Sequence, residues 1–201
     1  MIRTTVALVG SYLLGSVPTA YLLVKRFKRV DVRSVGSGNV GATNAMRVGG
    51  TWMGLAVFLI DAGKGLAAVL LIAPWLVHPL TPAVRLGCGL AAILGHVYPV
   101  FLQFRGGKGV ATTIGVLLGT MPLVAALCLS VLGGCVLLWR YISVGSIAAA
   151  VTLPIAQLAT RQGIAEVLLG CTISLLIILR HRANIERLLQ GREHRVGLNK
   201  S

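Results

Sequence analysis

The chain has 201 residues, of which 56% are hydrophobic and 12% are charged, and its net charge is +14. So few charged side chains exclude a soluble domain of this size, and apolar runs of about 20 residues, long enough to cross a bilayer as helices, recur along the chain. Basic loops at the cytoplasmic surface of a membrane protein explain the positive charge, and we expect no nucleic-acid partner.

The first two predicted spans differ in their polar content. The first covers about residues 4–24, with Pro18 as a candidate kink, and a basic cluster follows it directly, which predicts that this end is cytoplasmic. The second covers about residues 51–77 and carries Asp61 and Lys64 on one helix face. Ionisable residues inside a span are usually functional, although these two could simply pair with each other.

The third predicted span, about residues 83–104, contains His96, which could be functional or a hydrogen-bonded core histidine. The segment after it allows two interpretations. Residues 110–120 would form only ~17 Å of helix at about 1.5 Å per residue, roughly half of a bilayer core. They are therefore either part of one long span over residues 110–139 or a short helix that precedes a full span.

Charge counting decides between these two interpretations. Two more spans follow, about residues 142–159 and 164–179, and a basic tail ends the chain. With a separate short helix, 15 of the 19 Lys and Arg residues are cytoplasmic. The exceptions are Arg3, Arg85 and Arg161 outside and Lys64 within a span. We therefore predict an all-α polytopic membrane protein with seven transmembrane helices, the N-terminus outside, the C-terminus cytoplasmic, and a single domain over residues 1–201.

Residues 34–50, in the first cytoplasmic loop, are unusually rich in small polar residues. Glycines allow a backbone with positive φ, consecutive N–H groups can bind an anion, and an arginine can hold phosphate through two hydrogen bonds. The alternative is a flexible loop. The candidate anion-binding residues are Ser37, Gly38, Asn39, Gly41, Thr43, Asn44 and Arg47.

Residues 105–115 combine glycines, a lysine, a helix N-terminus and hydroxyl groups, which is the logic of a phosphate-binding loop. The spacing is not that of a Walker A motif, and a basic loop with a glycine hinge is the alternative. The candidate residues are Gly106, Gly107, Lys108, Gly109 and Thr112.

Residues 180–193 place His181 and Asn184 one helical turn apart, with Arg182 between them. The alternative is an amphipathic helix resting on anionic lipid.

The whole chain contains 5 Asp and Glu residues, too few for the clustered carboxylates of a two-metal phosphotransferase. We therefore expect neither a metal nor a cofactor.

Four motifs together resemble the bacterial acyl-phosphate:glycerol-3-phosphate acyltransferase (PlsY) family. They are SVGSGNVGATNAMRVGG at residues 34–50, DAGKG at 61–65, GHVYPVFLQFRGGKGVAT at 95–112 and RHRANIERLLQGRE at 180–193. The resemblance implies a multi-pass enzyme of the bacterial inner membrane with a cytoplasmic active site. Such an enzyme transfers a fatty acyl group from acyl phosphate to the 1-hydroxyl of glycerol 3-phosphate and releases lysophosphatidic acid and phosphate, in the first step of phospholipid synthesis.

By this resemblance the essential residues are Ser37, Arg47, Lys108, His181 and Asn184. Both substrates carry phosphate, and one carries an acyl chain, so the site needs two anion pockets and an opening to membrane lipid. The general base stays open: it could be His181 or a phosphate oxygen of a substrate. A small organophosphate transporter and a membrane scaffold remain as alternatives, and the sequence leaves the oligomeric state open, with a monomer as one option.

Overall fold

The regular structure of the protein, in a computed structural model that describes residues 1–197, consists of helices. Lys200, which belongs to the predicted basic tail, lies outside the described residues. The chain divides into two compact units, Met1–Thr120 and Met121–Ser201. The prediction of a single domain over residues 1–201 stays a prediction.

The first unit contains three long helical segments and two short helices that carry polar motifs. The long segments are a broken helix, α1 (Ile2–Ser16) and α2 (Thr19–Lys28); a continuous helix, α4 (Thr51–Ala67) and α5 (Ala73–Leu76), joined by a π-helical turn; and α6 (Pro82–Val97). The short helices are α3 (Ala42–Gly49) and α7 (Val110–Thr120).

The second unit contains three long helices and a short one. They are α8 (Pro122–Trp139), α9 (Ile142–Ala159), α10 (Ile164–Arg180) and α11 (Arg182–Leu189). The last two meet at His181 with a bend of 55°. Helix α9 packs against both α8 and α10.

Most predicted helix boundaries agree with the structure to within a few residues. The first span breaks at Val17 and Pro18, where the proline removes a backbone donor. The short helix of residues 110–120 is present as predicted, and α8 begins separately after Met121. The interpretation of residues 34–50 as a loop throughout was wrong, because their second half forms α3.

Five helical segments within residues 1–197 are long and apolar enough to cross a membrane, or six if the bent pair α10–α11 is one span. The coarse prediction, an all-helical protein with several membrane-spanning helices, is therefore confirmed. Helix α7 has 11 residues and is shorter than these spans.

Small residues determine how closely α4 and α7 approach each other. A Cβ atom at Gly65 would overlap the carbonyl of Thr112, and a Cβ atom at Gly115 would overlap the carbonyl of Ala62. Glycine at both contacts lets the two backbones touch, which is a common way of packing helices in membranes. This contact fixes α7, and with it the loop that precedes α7, against α4.

Candidate active site

The first polar motif is organised around the side chain of Asn44, which is 0% exposed. Its Nδ2 donates to the carbonyls of Val32 (2.9 Å) and Val35 (3.0 Å), and its Oδ1 accepts from the N–H of Ser37 (2.8 Å). Both amide hydrogens and the amide oxygen are therefore used within the loop. Asn44, predicted to bind phosphate, instead holds residues 32–37 in place.

The remaining candidates of this motif lie around the loop and the start of α3. Gly38 has a φ of +69°, which glycine adopts without strain, whereas Gly41 is extended and serves as the N-cap of α3. Ser37 is exposed, and Arg47 lies partly buried in the last turn of α3. Asn39 and Thr43 are also partly buried.

The glycines of the second motif are needed for space and for backbone pairing. The N–H of Gly106 donates to the carbonyl of Val97 (3.2 Å), and the N–H of Gly107 donates to the carbonyl of His96 (3.0 Å). A Cβ atom at Gly106 would overlap Pro99, and one at Gly107 would overlap the imidazole of His96. These N–H groups, predicted to cradle an anion, are bonded to carbonyls of their own unit.

Lys108 follows this paired backbone directly and precedes α7. Gly109 has a φ of +86° and provides the turn into the helix, which begins at Val110. Lys108 is partly buried, whereas Thr112 is 0% exposed. The Thr112 side chain is buried and its hydroxyl bonds to no other described residue, so its contact with phosphate stays a prediction.

Asp61 and Lys64 are buried and paired. The Lys64 Nζ donates to Asp61 Oδ1 at 2.6 Å and also to the carbonyl of Val17, at the break between α1 and α2. Asp61 Oδ1 lies 3.7 Å from Nδ1 of His96. Asp61 and His96 also line a small cleft, together with Thr19, Gly106 and Gly107. The contact agrees with the alternative given from the sequence, that Asp61 and Lys64 pair with each other.

The third motif lies in the second unit and is organised around Glu193. The Glu193 carboxylate, although it lies in a basic tail, is buried and accepts hydrogen bonds from Asn184 Nδ2 (2.8 Å), Arg187 Nε (2.7 Å) and the hydroxyl of Ser143 (3.1 Å).

His181 Nδ1 lies 2.8 Å from the carbonyl of Ile177. Since a carbonyl only accepts, Nδ1 carries the hydrogen, and a neutral His181 has its lone pair on Nε2. Arg182 is exposed.

Comparison with known proteins agrees with the motifs. Residues 5–191 match the model of a family described as glycerol-3-phosphate acyltransferase. The chain belongs to this family. The resemblance inferred from the four motifs is therefore confirmed, and the protein is an acyltransferase of phospholipid synthesis embedded in a membrane.

The match to members of the glycerol-3-phosphate acyltransferase family covers nearly the whole chain. A relative from Synechococcus sp. (strain CC9902) is 42% identical over 98% of this chain and 97% of its own length. One from Gloeobacter violaceus is 44% identical over 94% of this chain and 92% of its own. Both are named glycerol-3-phosphate acyltransferase.

Two crystal structures of PlsY (YgiH), an integral membrane glycerol 3-phosphate acyltransferase, share the fold. The glycerol 3-phosphate form superposes with a TM-score of 0.89 at 41% identity, covering 96% of both chains. The lysophosphatidic acid form gives a TM-score of 0.86 at 39% identity, covering 96% of this chain and 95% of that one. The transporter and scaffold alternatives are set aside, because these relatives are enzymes.

Sequence reasoning on this acyltransferase did not identify Ser143 or Glu193 as partners of the third motif. A usable signal existed for Glu193, since a carboxylate in a basic tail is expected to find a cationic partner. The sequence offered no such signal for Ser143, because its hydrogen bond to Glu193 joins residues 50 positions apart.

Glu193 is expected to make the stability of this family member acid-sensitive. Burial alone would raise the pKa of Glu193, but the hydrogen bonds from Arg187, Asn184 and Ser143 outweigh burial and lower the pKa below its ordinary value of 4.5. The folded state therefore gains stability that is fully present above pH 4.5 and is lost as pH falls through the lowered pKa.

Thermal unfolding of the wild type and of Glu193→Gln in detergent checks this expectation. At neutral pH the variant should melt at a lower temperature, and the gap should shrink as pH falls below about 4.5, where protonation removes the native carboxylate. Glu186→Gln, on the exposed side of α11, is the matched control and should melt like the wild type. A gap that is independent of pH would contradict this account.

Proposed function

We propose that the chain transfers a fatty acyl group from acyl phosphate to the 1-hydroxyl of glycerol 3-phosphate, giving lysophosphatidic acid and inorganic phosphate. The observation that carries this proposal is the similarity, over 96% of the chain, to an acyltransferase whose structures include a glycerol 3-phosphate form and a lysophosphatidic acid form. The bond between the acyl carbon and the phosphate oxygen breaks, an ester bond forms, and the hydroxyl proton leaves with the phosphate product.

The donor chemistry suits a site without an obvious base. Acyl phosphate is already activated, because phosphate is a good leaving group, so positioning and charge stabilisation can supply most of the rate enhancement. Arg47 and Lys108 provide cations for phosphate groups, and the exposed hydroxyl of Ser37 provides a neutral donor. His181, with its lone pair on Nε2 when neutral, is able to accept a proton or a hydrogen bond.

Two roles are proposed for the other candidates. Residues whose polar groups are paired within their own unit are proposed to hold the site in shape: Asn44, Asp61, Lys64, Gly106 and Gly107. Thr112, whose buried hydroxyl bonds to no other described residue, keeps its predicted role as a phosphate contact. Asn184, whose Nδ2 donates to Glu193, is proposed as a catalytic residue by its place in the third motif. The candidates for direct contact with substrate are Ser37, Gly38, Asn39, Gly41, Thr43, Arg47, Lys108, Gly109 and Arg182.

We further propose that the chain crosses the bacterial inner membrane seven times, counting α7, with its active site at the cytoplasmic face. The supporting observation is that basic residues concentrate in loops that this topology places in the cytoplasm. A reporter fused after the last residue that reads as periplasmic would contradict the topology.

The chain is proposed to act as a single domain, with a monomer sufficient for the reaction.

Release of phosphate tests the proposed reaction directly. Purified protein in detergent, given glycerol 3-phosphate and palmitoyl phosphate, should release phosphate and form lysophosphatidic acid in equal amounts without added metal. Palmitoyl-coenzyme A in place of palmitoyl phosphate should give no product, since its acyl carbon is bonded to sulfur and has no phosphate leaving group. Monodisperse protein that forms lysophosphatidic acid only from the thioester would overturn the proposed donor.

A further inference from the structure

We propose that Asp61, Lys64 and His96 form a positioning cluster that fixes the backbone before Lys108, and that this cluster sets the affinity of the enzyme for a phosphate-bearing substrate. The inference rests on the proposed function for its kinetic consequence and on the structure of the first unit for its geometry. None of the three side chains needs to touch substrate for this role.

Asp61 and Lys64 are largely shielded from solvent, and of the two only Asp61 lines the cleft. Their side chains are 2% and 4% exposed, and the Lys64 Nζ donates to both Asp61 and the carbonyl of Val17. Removing two charges from water costs several kcal/mol per ion unless each is well paired. The pair thus links the last turns of α4 to the broken segment between α1 and α2, where Pro18 leaves the helix interrupted.

His96 connects this pair to the second motif. Its Nδ1 lies 3.7 Å from Asp61 Oδ1, which is beyond direct hydrogen-bond distance but places the carboxylate beside this edge of the ring. The other side of the ring lies against Gly107, where a Cβ atom would overlap Nε2. The backbone makes the same connection, because the N–H of Gly107 donates to the His96 carbonyl at 3.0 Å. A change in the ring's orientation would therefore displace Gly107.

Gly107 precedes Lys108 in the chain, so a displacement of Gly107 also moves the backbone of Lys108 and, with it, the Lys108 ammonium group. Lys108 is a compact charge on a flexible stem, and its distance from a bound phosphate depends on where its backbone is held. A misplacement of about 1 Å in a binding group can cost roughly 100-fold in activity. Loss of the cluster should hence weaken substrate binding even when the helices stay folded.

The decisive variant replaces both ions by apolar residues of similar size, Asp61→Leu/Lys64→Met. Replacing a buried ion pair in this way is often neutral for stability, whereas Asp61→Leu alone leaves a buried ammonium unpaired and should unfold at a lower temperature. His96→Leu tests the connecting residue. Val69→Ala, a core truncation in the same unit, is the control for loss of stability alone, since Val69 is 0% exposed.

Two measurements separate positioning from stability. Steady-state kinetics should show that KM for glycerol 3-phosphate or for acyl phosphate rises about 10- to 100-fold in the double variant and in His96→Leu, with a smaller change in kcat. Hydrogen exchange of residues 105–109 should be faster in both variants, because the amides of Gly106 and Gly107 lose their fixed acceptors. The control should melt earlier with unchanged KM and unchanged exchange in this segment.

The inference is overturned if the double variant has the same KM as the wild type and the same rate of hydrogen exchange at residues 105–109. The ion pair would then only join helices. The proposed function fails separately, if the wild type forms no lysophosphatidic acid. In that case hydrogen exchange still tests the positioning cluster, because it requires neither substrate nor turnover.

Discussion

Replacing Lys108 by methionine is expected to lower kcat/KM for acyl transfer by about 100- to 1,000-fold, the usual cost of removing one preorganised group that stabilises developing negative charge. Methionine keeps the length and the apolar stem of the side chain but removes the ammonium. The backbone pairing of Gly106 and Gly107, which does not involve the Lys108 side chain, should hold the loop in place. Thermal unfolding should therefore change little.

Arg105→Gln is the matched control for Lys108→Met. Arg105 is exposed and lies three residues away in the same basic segment, so its loss removes the same net charge without removing the predicted phosphate contact. It should reduce activity only slightly. If both variants lost activity equally, the general positive potential of the segment would be responsible, and the specific role of Lys108 would be wrong. Lys108→Arg should recover part of the activity, since it restores the charge with a different geometry.

Asn44→Ala should cause the second large effect, by disordering the first motif instead of removing a substrate ligand. The change leaves the N–H of Ser37 and the carbonyls of Val32 and Val35 without the amide that bonds them. Each buried polar group left unsatisfied costs about 1–3 kcal/mol, unless the loop opens to water. We expect the loop to open, with near-complete loss of activity and a lower unfolding temperature.

Two further variants separate this account from a direct role of Asn44 in phosphate binding. Asn44→Asp keeps an acceptor for Ser37 but sets an anionic oxygen against two carbonyls, so it should be as damaging as alanine. Ser34→Ala, which removes a hydroxyl exposed on the same loop and bonded to the carbonyl of Asp31, should be nearly neutral. Unchanged thermal stability of Asn44→Ala together with a raised KM would instead indicate a direct phosphate ligand.

The fold was largely predictable because membrane spans follow from local properties of the chain. Apolar runs bounded by basic residues indicated every long helix, and Pro18 indicated the break in the first one. Helix α3 was missed because its sequence, ATNAMRVG, is short and contains Thr, Asn and Gly, which also favour loops. It forms where Asn44 anchors the preceding loop and where α3 packs against α4.

Which polar residues belong to the site was less predictable than where the motifs lie. The candidates for the substrate site included Asp61, Lys64, Asn44 and the two glycines of the second motif. The sequence alone could not show that other groups of the protein already bond to them. Glu193 and Ser143 were not among the candidates, yet Glu193 accepts a hydrogen bond from Asn184 and another from the Ser143 hydroxyl.

The sequence by itself determined the membrane class, the family and the segments that carry its chemistry, because composition, hydrophobic length and motif spacing are all local along the chain. Only the tertiary structure decided which of the candidate residues bond to groups that lie far away in the chain. Hydrogen-bond capacity is finite, and whether it is used depends on partners distant in sequence, as Lys64 shows by bonding to Val17, 47 residues away.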